Sequence, residues 1–228
     1  MQNNMQFLRL ATAFSMVLGG TMSAVAASKA TPKNLVQNGD FARWKTSAAP
    51  TMHKIRLLQH KVPAGWIFID QEAYGLAGNV KFPTQGAIGR SAHGQKPRSA
   101  YALVIQNGLR TDITNVGQMI TITPETVYKV SVWLKGSNIK PSARYGGGVF
   151  VWASWGPKNY WTHQHSLAQQ PKPSTGTFGW RKWTFTVDAG KGARHMAISL
   201  QLRCAAGKAW FDHVSVVKID KITPVKSF

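Results

Sequence analysis

Tyr128-Lys-Val-Ser-Val-Trp-Leu-Lys-Gly136 alternates apolar and polar residues one by one. Successive side chains of an extended chain point to opposite faces, so Tyr128, Val130, Val132 and Leu134 would line a core while Lys129, Ser131, Trp133 and Lys135 face outward. The pattern recurs in His195 to Arg203, where Met196, Ile198, Leu200 and Leu202 form an apolar stripe opposite Ala197, Ser199, Gln201 and Arg203. In Val149 to Trp155 both stripes are apolar, so Phe150 and Trp152 fit either side. Strands are expected over Ser99 to Gln106, Gly117 to Thr123, Tyr128 to Lys135, Gly148 to Ser154, Arg181 to Val187, Arg194 to Arg203 and Ala209 to Lys218. Turn signals such as Thr123-Pro-Glu-Thr126, Lys135-Gly-Ser-Asn138 and Asp188-Ala-Gly-Lys-Gly192 separate them. No segment beyond the first 27 residues keeps a helical period for long, and the spacing predicts an all-β sandwich. Two longer stretches, Thr46 to Pro63 and Gly156 to Gly176, read as irregular loops.

The N-terminus reads as a signal peptide over residues 1–27, with Arg9, an apolar run from Leu10 to Leu18 and small residues at Ala24, Ala26 and Ala27. The expected location is therefore secreted or periplasmic. The apolar run is too short to span a bilayer, so no transmembrane segment is expected. A short linker over 28–33, one β-domain over 34–218 and a tail over 219–228 complete the expected organisation. The only cysteine, Cys204, cannot form an internal disulfide and falls in an apolar strand pattern, as a buried thiol would.

The chain has 28 Lys and Arg against 8 Asp and Glu. Loss of the leader removes only Arg9, leaving 27 cations against 8 carboxylates and a net charge of +19. Such a field concentrates polyanions, although the cations are scattered rather than massed in a tail.

Four segments, in order, carry a family resemblance: Asn34-Leu-Val-Gln-Asn-Gly-Asp-Phe41, the Tyr128 strand, Thr175-Gly-Thr-Phe-Gly-Trp-Arg-Lys-Trp-Thr-Phe185 and Ala209-Trp-Phe-Asp-His-Val-Ser-Val216. Together they resemble the family 4/9-like carbohydrate-binding modules, over roughly Asn34 to Lys218. The resemblance implies a galactose-binding-like jelly roll of two antiparallel sheets, without catalytic activity. It also implies ligands on the concave face of one sheet or at the loop tips. Trp133, Lys135, Phe150, Trp152, Gln201 and Arg203 are the candidates for the face, and Trp155, Tyr160 and Trp161 for the loop. Trp66, Trp180 and Trp210 fall where the family keeps structural aromatics. Sugars suit such a set, because pyranose C–H patches stack on aromatic rings and hydroxyls need fixed amides or cations.

The resemblance further implies a structural calcium ion where the first and last segments meet, on Asp212 with Asp40 nearby. Calcium wants six to eight oxygens, yet the family's usual acidic positions hold Ala42 and His213 here. The alternative is that Asp212 caps a turn. His163 and His165 alternate but lack a third ligand. A glycosidase needs two carboxylates, and Asp70 with Glu72 is the best available pair, with no other catalytic motif in sight. The expected function is a secreted binder of poly- or oligosaccharide, favouring acidic glycans through its charge. The alternative is electrostatic binding to anionic envelope polymer, lipid or nucleic acid; the export signal argues against a genomic partner.

Overall fold

Thirteen strands and no helix make up the described residues of the computed structural model, which are 31–46, 56–57, 61–68, 87–92, 100–110, 113–157, 166–169 and 173–219. The strands are β1 (Trp44–Thr46), β2 (Arg56–Leu57), β3 (Lys61–Pro63), β4 (Ile67–Phe68), β5 (Ala87–Ala92), β6 (Tyr101–Asn107), β7 (Ile113–Thr121), β8 (Thr126–Pro141), β9 (Gly148–Gly156), β10 (Ser166–Gln169), β11 (Gly176–Ala189), β12 (His195–Arg203) and β13 (Ala205–Ile219). All lie in the unit Pro32–Phe228. One sheet runs β11-β8-β13-β6-β5-β2 and the other β10-β9-β12-β7-β4, with β1 and β3 as a separate pair. Every pairing is antiparallel except β2 with β5. This is the expected β-sandwich.

The core forms where the apolar stripes of the two sheets meet. Tyr128, Val130, Val132 and Leu134 of β8 are at most 2% exposed, and Met196, Ile198, Leu200 and Leu202 of β12 are fully buried. Val149, Val151 and Ala153 of β9 join them. Burial of one such large aliphatic side chain contributes about 1.5–3 kcal/mol, so a stripe of four suffices to fix which way its strand faces. Tyr128 also ties a corner: its hydroxyl accepts the Thr123 N–H at 2.7 Å.

The segments Asn34 to Phe41 and Ala209 to Val216 are brought together. Asn34 Oδ1 accepts the N–H groups of Val36 (3.1 Å) and Val216 (2.9 Å), and its Nδ2 donates to Val214 O (3.2 Å). Gly39 carries the closest backbone approach: a Cβ there would collide with the Val214 carbonyl oxygen, while Val214 N donates to Gly39 O at 2.9 Å. Phe41 and Trp66, both buried, pack at 5.1 Å between ring centroids. Trp66 is thus a packing residue, as expected.

The two supposed loops contain pairing that their sequences did not announce. The ends of Thr46 to Pro63 close as β1 against β3, with β2 between them in sequence and paired to β5. Gly156 to Gly176 contains β10, which pairs with β9. Two- to four-residue strands are too short for alternation to register.

Candidate functional site

Phe150, Trp152 and Ser154 alternate with the core-facing residues of β9 and so look outward from the five-stranded sheet. Register brings the outward residues of β12 beside them: Gln201 opposite Phe150, and Ser199 opposite Trp152. On the other side of β12, Gln201 faces Asn115 and Ser199 faces Gly117 of β7, and Gly117 in turn faces Ile67 of β4. Residues directly opposite in an antiparallel ladder share a face, so these side chains form one surface. Gly117 contributes no side chain to it, leaving a gap in the row between Ser199 and Ile67, the latter 48% exposed.

The surface has an aromatic side and a polar floor. The Phe150 and Trp152 rings meet edge to face at 6.3 Å and 85°. The Arg203 guanidinium lies over the Trp152 ring, 5.4 Å from its centroid, a cation–π contact that holds the cation beside the ring. Gln201 Nε2 donates to Ser199 Oγ at 3.0 Å, and Ser199 Oγ donates to Asn115 Oδ1. These three polar residues are at most 4% exposed. A hydrogen-bonded chain of buried amides and hydroxyl keeps its groups, and the strands that carry them, in fixed orientation beside the Trp152 ring. Arg203 also acts on its neighbour: burial pushes the Cys204 thiol above its ordinary pKa, and the Arg203 charge and hydrogen bond pull in the opposite direction.

Four of the candidates, Phe150, Trp152, Gln201 and Arg203, therefore come together. Trp133 and Lys135 do not join them. They lie on β8, in the six-stranded sheet, opposite Lys182 and Trp210 respectively. The single mixed face expected from alternation is two faces on opposite sheets. Trp155 shares the parity of Val149, Val151 and Ala153 and packs partly against the core, so it is not a loop residue. Tyr160, Trp161, His163, His165, Asp70 and Glu72 lie outside the described residues. Trp210 belongs to the outer face of the six-stranded sheet, with the ammonium groups of Lys135 and Lys208 at 5.1 and 5.8 Å from its ring centroid. It is half-buried on that face rather than in the core. Asn115 and Ser199 were not among the candidates. Ser199 stands on the outward stripe of its strand, and Asn115 escapes the sequence because β7 begins four residues before the expected Gly117, where the core-facing Thr114 and Gln118 are polar and leave no alternation to read.

The junction of the two end segments is a cleft of about 620 Å³ that includes Asn38, Asp40, Arg43, His213 and Ser215. Asp40 is exposed and accepts the Ala42 N–H at 3.3 Å. Asp212 is fully buried, and both of its oxygens face His213: Oδ1 accepts the backbone N–H at 2.6 Å and Oδ2 lies 2.8 Å from Nδ1. Asn38 O already accepts from Phe41 N and Trp66 Nε1, and Gly39 O from Val214 N. The cleft thus offers one carboxylate beside a guanidinium and an imidazole. That donor set does not fit calcium, which gathers six to eight oxygens and usually several carboxylates. Among the described residues no group of three or more His, Cys, Asp or Glu could hold a metal ion.

No family model matches the chain, and no curated protein matches it. Solved structures do. A cyclase from Fischerella sp. TAU, in complex with 4-(1H-indol-3-yl)butan-2-one, aligns with a TM-score of 0.52 at 15% identity over 82% of this chain and 98% of the cyclase. The enzymatically active domain of tailspike protein 4 of bacteriophage CBA120 gives 0.48 at 12% identity over 82% of this chain, which spans 21% of that chain. A CBM4 carbohydrate-binding module gives 0.45 at 16% identity, over 80% of this chain and 99% of the module. At these identities the likeness concerns the fold alone.

Proposed function

We propose that this protein is a non-catalytic carbohydrate-binding module, exported by the leader of residues 1–27, that holds an oligo- or polysaccharide on the outer face of its five-stranded sheet. The observation that carries this reading is the Arg203–Trp152 stack beside the fixed Asn115–Ser199–Gln201 line. A sugar ring lies against Trp152 and Phe150, and its hydroxyls meet the Arg203 guanidinium, beside the buried Gln201–Ser199–Asn115 line that fixes this side of the sheet. Of the carboxylates among the described residues, Asp40 and Glu125 sit in turns, Asp188 lies near the end of β11 and Asp212 is buried in the other sheet, while Asp70 and Glu72 lie outside them. A glycosidase needs two flanking the scissile bond.

A glycan array probed at low and at physiological salt tests the proposal. Neutral-sugar stacking predicts a discrete set of bound glycans whose signal barely changes with salt, whereas a purely electrostatic binder loses affinity steeply and without sugar selectivity.

A further inference from the structure

On the sheet opposite that site, the outer face is both aromatic and basic. Lys135 of β8 and Lys208 of β13 hold their ammonium groups over the ring of Trp210, as described above. Trp133 lies two residues from Lys135 on the same face, across from the exposed Lys182 of β11. Like-facing residues stand roughly 7 Å apart along a strand and about 5 Å across strands, so these cations form a short grid rather than a single point. The grid leads into a cleft of about 600 Å³ at the end of β6, β8 and β13, lined in part by Gln106, Arg110, Asn138, Lys140 and Lys208, with no carboxylate in its wall. Lys208 belongs to both features. Gly207, at φ 124°, lets its strand pass against the Asn138 carbonyl and keeps this wall closed.

We infer that this face is a second binding site, separate from the Trp152 face, and that its occupant is an anionic polysaccharide bearing carboxylate or sulfate groups. Charge complementarity sets the anionic class: Lys135, Lys182 and Lys208 lead to a cleft wall without acids, and Asp212, the ladder partner of Trp133, is fully buried against His213. The ring of Trp210 sets the kind of polymer. A nucleic acid strand binds through bases stacked on bare rings, but Trp210 carries two ammonium groups. The ring here fixes cations, and they meet charges spaced along a chain. Two sites on opposite sheets allow one molecule to hold a neutral and an acidic glycan together.

The test measures binding of the mature protein to polygalacturonate and to neutral dextran-type oligosaccharides from the array, for wild type, Trp152→Ala and the triple variant Lys135→Gln, Lys208→Gln, Arg110→Gln. Three solvent-accessible ion pairs give an expected loss of about tenfold for polygalacturonate in the triple variant, with a salt slope shallower by about 2 in log–log form. Neutral-sugar binding by that variant stays unchanged, which also shows that it is folded, and Lys135→Arg with Lys208→Arg retains polygalacturonate binding. Trp152→Ala keeps its affinity for polygalacturonate whether or not it has lost neutral sugar, so failure at one site is separable from failure at the other. Equal polygalacturonate binding by wild type and triple variant overturns the site. Tighter binding of wild type to single-stranded DNA or phosphatidylserine vesicles than to polygalacturonate, at equal charge concentration, overturns the occupant.

Discussion

Replacing Trp152 by Ala removes the aromatic wall of the five-stranded sheet's outer face, and its effect on sugar affinity follows from the ring's placement. An aromatic side chain offers about 150–250 Å² of contact surface. Trp152 is mostly buried, with Arg203 over its ring, so roughly 50 Å² remains for a sugar. At about 25 cal/mol per Å² that is about 1.2 kcal/mol, or close to eightfold in affinity. The fold tolerates the change because the ring stands outside the stripe of Val149, Val151 and Ala153 that builds the core. Titration calorimetry with an oligosaccharide chosen from the array reads the loss directly, with the unfolding midpoint recorded in parallel. A Trp152→Phe variant should recover part of the affinity. A Trp152→Ala protein with an unchanged midpoint and affinity within threefold of wild type would refute the assignment of this face.

Gly39→Ala should destabilise the protein by more than about 2 kcal/mol in urea unfolding, because the new methyl meets the Val214 carbonyl, a backbone atom that cannot turn aside. Asn34→Ala leaves the N–H groups of Val36 and Val216 and the carbonyl of Val214 without their partner and should cost about 1–3 kcal/mol by the same measurement. Addition of calcium or a chelator should leave the thermal midpoint unmoved, since the cleft beside Asp40 lacks an oxygen set for the ion and the buried Asp212 is engaged by His213; a rise with calcium concentration would contradict that. The Cys204 thiol is raised by burial. Its folded pKa exceeds its unfolded one, so its contribution to stability is complete below the unfolded pKa and fades as pH rises through the folded value. Cys204→Ala should therefore flatten the alkaline part of the stability curve.

Much of the sandwich was legible because a core-facing stripe repeats every second residue. Tyr128 to Leu134 and Met196 to Leu202 were assigned inward from spacing and are buried. What alternation cannot give is which sheet a strand joins. It sorted Trp133, Lys135, Gln201 and Arg203 outward, correctly for each strand, yet β8 and β12 sit in different sheets. Phe150 and Trp152 were undecidable because β9 is apolar on both stripes; only pairing with Ser199 and Gln201 shows them outward. Trp155 reads as a loop residue from its sequence, yet its strand runs to Gly156, two residues beyond the expected Ser154. At Trp210 the cross-strand partners, Lys135 and Val104, decide the side chain's surroundings.

The most direct measurement is NMR titration of the isotope-labelled protein with a neutral oligosaccharide found on the array. Binding at the proposed face predicts saturable shifts concentrated in the Phe150–Trp152 and Ser199–Arg203 amides and in the Trp152 indole, with the Trp133 and Trp210 indoles still. Shifts confined to the six-stranded sheet, or spread without saturation, would contradict it.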